Sequence, residues 1–222
     1  TTPLEIGEGL GSVPTEIDVD GDNDLDIVSA EYFHAGGSFA WMERTADPSS
    51  SSPAGEFTRH VINADSGPSI LLKMVPNLLG DGKLHAIGSN HTNTSKMPPD
   101  DVAEGVFLFD IPADPTEPWT KTLISSGIQS VPGSMFSPQA APGVFATGDI
   151  DGDSDIDVLL SGDGDPHVYW IEQAPDGWKM HVLEDSLAQA GGIQIVDLNG
   201  DGKNELIVTG YEANTVNVYE RK

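Results

Sequence analysis

Five acidic side chains fall within nine residues in the stretch Asp149-Ile150-Asp151-Gly152-Asp153-Ser154-Asp155-Ile156-Asp157. Carboxylates at alternate positions repel one another unless a cation sits among them, and those at positions 1, 3 and 5 can turn inward around one hard ion. Gly152 permits the sharp turn, position 7 contributes a backbone carbonyl, and Asp157 at position 9 closes the shell. The chemistry expected is Ca2+ binding. The spacing is that of the first half of an EF-hand loop. The residues after it depart from that motif: Ile156-Asp157-Val158-Leu159-Leu160 alternates early and is rich in strand formers, so the loop is expected to feed a β-strand and not a helix.

The pattern occurs in two further full copies. One offers Asp18, Asp20, Asp22, Asp24 and Asp26; the other offers Asp197, Asn199, Asp201, Lys203 through its carbonyl, and Glu205. With Asp149, Asp151, Asp153, Asp155 and Asp157 these make about three structural calcium sites. A fourth, decayed copy runs from Asn77 to His85, with Leu79 at position 3 and His85 at position 9. Two hard-oxygen ligands are lost there, so this loop is expected to be empty or to bind only weakly.

The formal charge is −26, with only 10 Lys and Arg among 222 residues. That balance argues against nucleic acid and anionic membranes as partners, and no apolar run is long enough for membrane insertion. The absence of cysteine rules out a disulfide framework. Calcium loops with the affinity of extracellular modules need roughly millimolar calcium, so a secreted, extracellular setting is expected. The start, Thr1-Thr2-Pro3, reads as processed or excised from something longer. Two sequons, Asn90-His91-Thr92 and Asn93-Thr94-Ser95, lie in a polar stretch and would be glycosylated in a secreting eukaryote.

Each loop is succeeded by the same pieces. First comes a short strand: Leu25 to Ala30, Leu84 to Ser89, Ile156 to Ser161, Leu206 to Gly210. Next comes an aromatic-rich strand: Phe39 to Arg44, Val106 to Ile111, Val168 to Gln173, Val216 to Arg221. A turn then leads to a last strand: Phe57 to Ile62, Trp119 to Ile124, Trp178 to Leu183. The fourth copy of this last strand is missing, and Pro3-Leu4-Glu5-Ile6 is able to supply it. Steps between equivalent Asp residues (Asp22, Asp81, Asp153, Asp201) are 59, 72 and 48, and the return through the chain ends is 43. Each unit holds about four strands, the size of one propeller blade. The expected architecture is therefore all-β: a β-propeller of four-stranded blades, four repeats in this chain, with each calcium loop between strands 1 and 2. Residues 1–222 form one such domain, or part of a larger propeller. The long second step reflects insertions, Met97 to Asp101 and the Pro/Gly-rich run from Val131 to Gly143.

With these elements assembled, the chain resembles the FG-GAP/VCBS repeat family of β-propellers. The resemblance rests on Asp-x-Asp-Gly-Asp-x-Asp-x-Asp before a strand, the aromatic-Glu strand, and Trp-x-x-His-Val-Leu. It implies a fold without implying one function, since similar repeats occur in integrin α-chain heads, fungal lectins and polysaccharide lyases.

In a four-stranded blade the calcium loop lies on the face opposite the loops joining strands 2 and 3. Those loops contain Glu31, Tyr32, His34, Asn90, His91, Asp163, Asp165, His167, Tyr211 and Glu212. Aromatic rings for stacking on sugars, beside amides and carboxylates for hydroxyls, make this the expected carbohydrate surface. His60 and His181 share one register and are expected to pack within the repeat, and Trp41, Trp119, Trp170 and Trp178 to be core. Three functions are open: a lectin-like module binding carbohydrate or polysaccharide; a lyase acting by β-elimination on uronate-containing glycans, with Tyr32, His34 or His91 moving the proton; and a protein-adhesion domain. No Gly-x-Ser-x-Gly elbow, P-loop or His-Glu-x-x-His motif is present.

Overall fold

The computed structural model describes residues 3–34, 38–93, 100–130 and 140–221. Among them there is no helix, and all regular structure falls into four antiparallel sheets. The first sheet comprises β1 (Thr15–Ile17), β2 (Asp26–Ala30), β3 (Phe39–Ala46) and β4 (Glu56–Asn63). The second comprises β5 (Ser69–Pro76), β6 (Leu84–Asn90), β7 (Gly105–Asp110) and β8 (Thr120–Ser126). The third holds β9 (Phe145–Gly148), β10 (Asp157–Ser161), β11 (Val168–Ala174) and β12 (Gly177–Glu184), and the fourth β13 (Ala190–Val196), β14 (Glu205–Gly210) and β15 (Thr215–Tyr219). Strands lie side by side in chain order throughout. Every nine-residue loop thus joins the first two strands of its sheet, at the end opposite the connections between second and third strands.

Burial is graded across each sheet, and the sequence shows why. The second strand of the third sheet, β10, is buried along its whole length, as its continuous Val-Leu-Leu run requires of a strand covered on both faces. The outer strand β12 is exposed or half-buried throughout. Cross-strand pairs build the layers between sheets. Val28 faces Trp41, Ile87 faces Leu108 and Leu159 faces Trp170. Val28, Phe39 and Trp41 pack with Leu72, Ala86, Phe107 and Phe109, joining the first two sheets. A larger cluster, including Ile87, Leu108, Phe145, Val158, Leu159, Leu206 and Val208, joins the second, third and fourth. Gly88 makes the first seam close: a Cβ there would come within 2.6 Å of the Phe39 ring. The equivalent pair in the fourth sheet, Ile207 and Val218, leaves Val218 48% exposed, so that face of the last sheet meets solvent.

The N-terminal residues do not take the place expected for them. The fourth sheet has three strands, and residues 3–6 form none. The next glycines run over the first sheet, where a Cβ on Gly7 would meet the Met42 side chain at 2.9 Å and one on Gly9 would meet Glu31 and Arg59. Gly7, Gly9 and Gly11 weaken strand propensity here and let the backbone lie close on Met42. The expected insertion at Met97 to Pro99 and residues 131–139 of the second one lie outside the described residues. Of the two sequons, the first is closed to modification in the folded chain. Asn90 is fully buried, its amide donates to Ser66 O at 2.9 Å and Ala103 O at 2.8 Å, and its carbonyl oxygen accepts from Gly105 N at 2.8 Å. In the second, Asn93 is buried, while Thr94 and Ser95 lie outside the described residues.

Candidate functional site

The nine-residue loops share one backbone. Position 4 is left-handed in all four (Gly21, Gly80, Gly152 and Gly200, φ +83°, +70°, +84° and +80°), and so is position 6, where Asn23, Gly82, Ser154 and Gly202 stand at +74°, +76°, +79° and +84°. Asn, Ser and Gly tolerate this region where bulkier side chains do not. In the first loop Asp18 accepts Gly21 N at 2.7 Å and Asn23 N at 3.1 Å, Asp20 accepts Asp22 N at 3.1 Å, and Asp22 accepts Asp24 N at 2.9 Å. The third loop repeats this through Asp149, Asp151 and Asp153, and the fourth through Asp197, Asn199 and Asp201.

These bonds aim the side chains of positions 1, 3 and 5 at one point. Oxygens of Asp18, Asp20 and Asp22 lie within 4.8 Å of one another, as do those of Asp149, Asp151 and Asp153. Loss of solvent raises the Asp20 and Asp151 carboxyls above the ordinary range, and the neighbouring carboxylates raise them further against one backbone hydrogen bond each. An all-oxygen donor set of this kind fits a hard divalent cation such as Ca2+.

Position 9 has a structural part beside the ligand role expected of it. Asp26 and Asp157 are almost fully buried. Asp26 accepts Val19 N at 2.8 Å and Arg44 N at 2.9 Å; Asp157 accepts Ile150 N at 3.1 Å and Gln173 N at 2.9 Å. Each carboxylate therefore clamps the loop to the third strand of its own sheet. Burial raises both groups, with the backbone bonds pulling the other way. Glu205 bonds Leu198 N at 2.8 Å and Asn199 Nδ2 at 3.1 Å. Asp24, Asp155 and Lys203 occupy position 7 of their loops, where the backbone carbonyl is the expected ligand.

In the second loop the fold survives without the acids. Asn77 Oδ1 accepts Gly82 N at 2.7 Å, Leu79 at position 3 points to solvent, 40% exposed, and the buried His85 imidazole reaches inward. Its Nε2 lies 3.1 Å from Asp81 Oδ1 and its Nδ1 3.0 Å from Asp110 Oδ1. An internal side chain thus occupies the surroundings of the position-5 carboxylate, where the other loops present only oxygens.

His60 and His181 are repeat-packing groups. His60 Nε2 lies 2.6 Å from Glu43 Oε2 and its ring 4.9 Å from that of Trp41. His181 repeats this with Glu172 at 2.7 Å and Trp170 at 4.6 Å. Trp41 and Trp119 are buried, while Trp170 and Trp178 are half-buried against the larger cluster.

At the opposite end, the residues singled out from sequence divide into two groups. Glu31, Asn90 and Asp165 are committed inside the fold. Glu31 is fully buried and holds the Arg59 guanidinium through both oxygens, at 2.8 and 2.6 Å. Asp165, 4% exposed, accepts Gln129 N at 3.0 Å and His167 N at 3.0 Å and bonds His167 Nδ1. Tyr169, whose hydroxyl is 3.3 Å from the same Nδ1, is held above its ordinary range by burial and by Asp165.

The second group forms an arc. The Tyr32 ring lies 5.6 Å from that of His91, His91 Nε2 is 3.8 Å from Asp163 Oδ2, and Asp163 Oδ1 accepts Gln189 Nε2 at 2.5 Å. Gln189 O in turn accepts Tyr211 N at 2.9 Å. Tyr32, His91, Asp163 and Tyr211 occupy the same connection, between second and third strands, in the four successive sheets. His34 and Tyr32 line a cavity of about 200 Å³ with Ser38 and Pro68. Asp163, Gln189, Gly191, Gly192 and Tyr211 line a larger one of about 400 Å³. Glu212 is exposed beside Tyr211. Gln189, which lies between sheets and outside the repeated pattern, escaped the sequence reading; Phe33, in the same connection as Tyr32, is 84% exposed and edge-on to that ring at 4.6 Å. A third space, of about 230 Å³, is an apolar seam between the third and fourth sheets around Trp170, Leu206 and Tyr219.

The comparison with curated proteins gave no match. Residues 149–208 match the family model of the FG-GAP-like repeat, a segment that runs from the third acidic loop through β10 to β13 and the fourth loop into β14. By that match the chain carries an FG-GAP-like repeat, consistent with an FG-GAP/VCBS repeat family.

Proposed function

We propose that the protein is an extracellular, calcium-stabilised β-propeller that binds carbohydrate on the face carrying the Tyr32–His91–Asp163–Gln189–Tyr211 arc. The carrying observation is that arc. One connection from each sheet contributes an aromatic, imidazole or carboxylate side chain, and exposed rings (Phe33 84%, Tyr211 76%) stand at its rim. Rings of this kind stack on the apolar faces of sugars, while amide and carboxylate groups bond their hydroxyls. Repetition of a strand order and a loop position in four sheets supports the propeller reading, as does the FG-GAP-like match.

Calcium would be held by Asp18, Asp20 and Asp22, by Asp149, Asp151 and Asp153, and by Asp197, Asn199 and Asp201, with the carbonyls of position 7. There it supplies charge neutralisation at the far end of the sheets and takes no part in sugar contact. The clamp at position 9 passes loop order to the third strand, which leads back to the binding face.

A lyase is the weaker reading. β-Elimination requires a cation to neutralise the uronate carboxylate, and among the described residues no Lys or Arg lines the cavities of this face. Arg59 is already engaged by Glu31. The deciding experiment is a glycan array with wild type, Tyr32→Ala and His91→Ala, each checked by melting. Loss of glycan signal with unchanged melting is expected. Full binding by both variants, or accumulation of unsaturated uronate product from any glycan, refutes the assignment.

A further inference from the structure

The larger cavity of the binding face points to a narrower ligand class. We propose that it selects sugars carrying a free amine, a hexosamine unit, over their N-acetylated and uronate counterparts; this rests on the carbohydrate-binding reading above. The cavity, about 400 Å³, falls within the ~300–1,000 Å³ of small-molecule sites. Asp163 is the one ionic side chain among the described residues that line it. Its Oδ1 takes the Gln189 amide. Its Oδ2 has His91 Nε2 at 3.8 Å, beyond hydrogen-bond length, so among the described residues it accepts no hydrogen bond and can take a donor from a ligand.

The backbone holds that oxygen in place. Asp163 sits at φ +53°, a left-handed conformation seldom adopted by a side-chain-bearing residue, and the next residue is tied by Gly164 N donating to Ala140 O at 2.8 Å. Such outliers concentrate where a side chain must be aimed. His91 stands beside it, its Nδ1 donating to Pro142 O at 2.8 Å, which fixes the ring against the same loop. Among the described residues, then, the cavity is lined by one carboxylate and by no Lys or Arg. Ser161 adds nothing to this, because its hydroxyl donates to Ala190 O at 2.6 Å.

An ammonium group pairs with the Asp163 carboxylate through its N–H donors, and the Tyr211 ring, 76% exposed, is free to stack on the sugar. A net charge of −26 draws cationic ligands toward the protein and repels polyuronates. N-acetylation removes the charge and leaves one donor; a uronate brings a second carboxylate against Asp163.

The test is calorimetric binding of glucosamine oligomers, N-acetylated oligomers of the same length and galacturonate oligomers, with calcium present and at a pH that keeps the amine protonated. The glucosamine oligomer is expected to bind about tenfold more tightly than its N-acetylated form at low salt. That ratio is expected to shrink at high salt and to fall toward one in Asp163→Asn. Should Asp163→Asn fail to fold, the salt dependence of the wild-type ratio still decides. Equal binding of the two oligomers, a preference for galacturonate, or a preference that survives Asp163→Asn overturns the inference while leaving carbohydrate binding intact. Binding of no sugar of any class overturns both.

Discussion

Removing calcium is expected to lower the melting temperature by roughly 10–30 °C, and the size of that change comes from the loops. In the first and third loops three carboxylates stand within 4.8 Å of one another. At that distance each pair repels by about 0.9 kcal/mol even at the dielectric of water, or about 2.5 kcal/mol per loop. A divalent ion reverses the sign of this term. With the affinity of extracellular modules, about 10⁻⁴–10⁻³ M, calcium at ~10 mM is some 10- to 100-fold above its dissociation constant and stabilises by about 1.4–2.7 kcal/mol per site. Three sites sum to about 4–8 kcal/mol, and each kcal/mol moves the melting point of a chain of this size by about 2–4 °C. The assay is thermal unfolding monitored by circular dichroism, first in chelator and then across a calcium titration, with magnesium as the control. Asp151→Ala is expected to remove about a third of the calcium-dependent shift and to leave the fold of the opposite face unchanged. A calcium shift below about 2 °C, or a full shift retained in Asp151→Ala, would refute the reasoning.

Three further outcomes are expected. Arg59→Ala strands the fully buried Glu31 carboxylate and is expected to destabilise by about 3 kcal/mol, read from chemical denaturation, whereas Arg59→Met with Glu31→Gln recovers most of that loss. Glu184, bonded by Ser186 and by the Tyr219 hydroxyl at 2.9 Å, is held down to about 2, with Ser186 the larger cause. Its folded value lies below its unfolded one, so its contribution is present above about pH 4.5 and lost as pH falls toward 2; Glu184→Gln should flatten the acid limb of the stability profile in that window, and an unchanged limb would count against the contact. Finally, Leu79→Asp with His85→Asp restores oxygen donors at positions 3 and 9 of the second loop, whose turn already has the shared conformation. Calorimetry is expected to find one more calcium per chain in this double variant, and unaltered stoichiometry would show that backbone shape and ligand type are insufficient there.

Much of the fold is legible in the residues because local patterns repeat. The acidic nonapeptide needs its own Gly and small residues to turn, so its conformation is encoded within nine positions. The strands after it were readable to within one or two residues, since alternation and aromatic content act over short range. The expected pairing of His60 and His181 with repeat packing holds for the same reason: equivalent registers meet equivalent neighbours, Glu43 with Trp41 and Glu172 with Trp170.

What the sequence alone determined, then, is the all-β repeat, the position of each acidic loop, and the acidic residues at positions 1, 3 and 5 whose oxygens converge in the first and third loops. Three matters were decided only by tertiary structure. Position 9 became a clamp because Gln173 and Arg44 bring unpaired backbone N–H groups to a buried carboxylate, a partner many residues distant. Glu31, Asn90 and Asp165 were withdrawn from the surface at that end of the sheets because buried neighbours claimed their hydrogen bonds, and burial penalises any polar group left unpaired. The Tyr32–His91–Asp163–Gln189–Tyr211 arc arose from residues up to 179 positions apart in the chain. No local pattern encodes such a meeting, because it depends on how four sheets pack through Phe39, Trp41, Leu108 and Leu159, and only packing sets the distance between their loops.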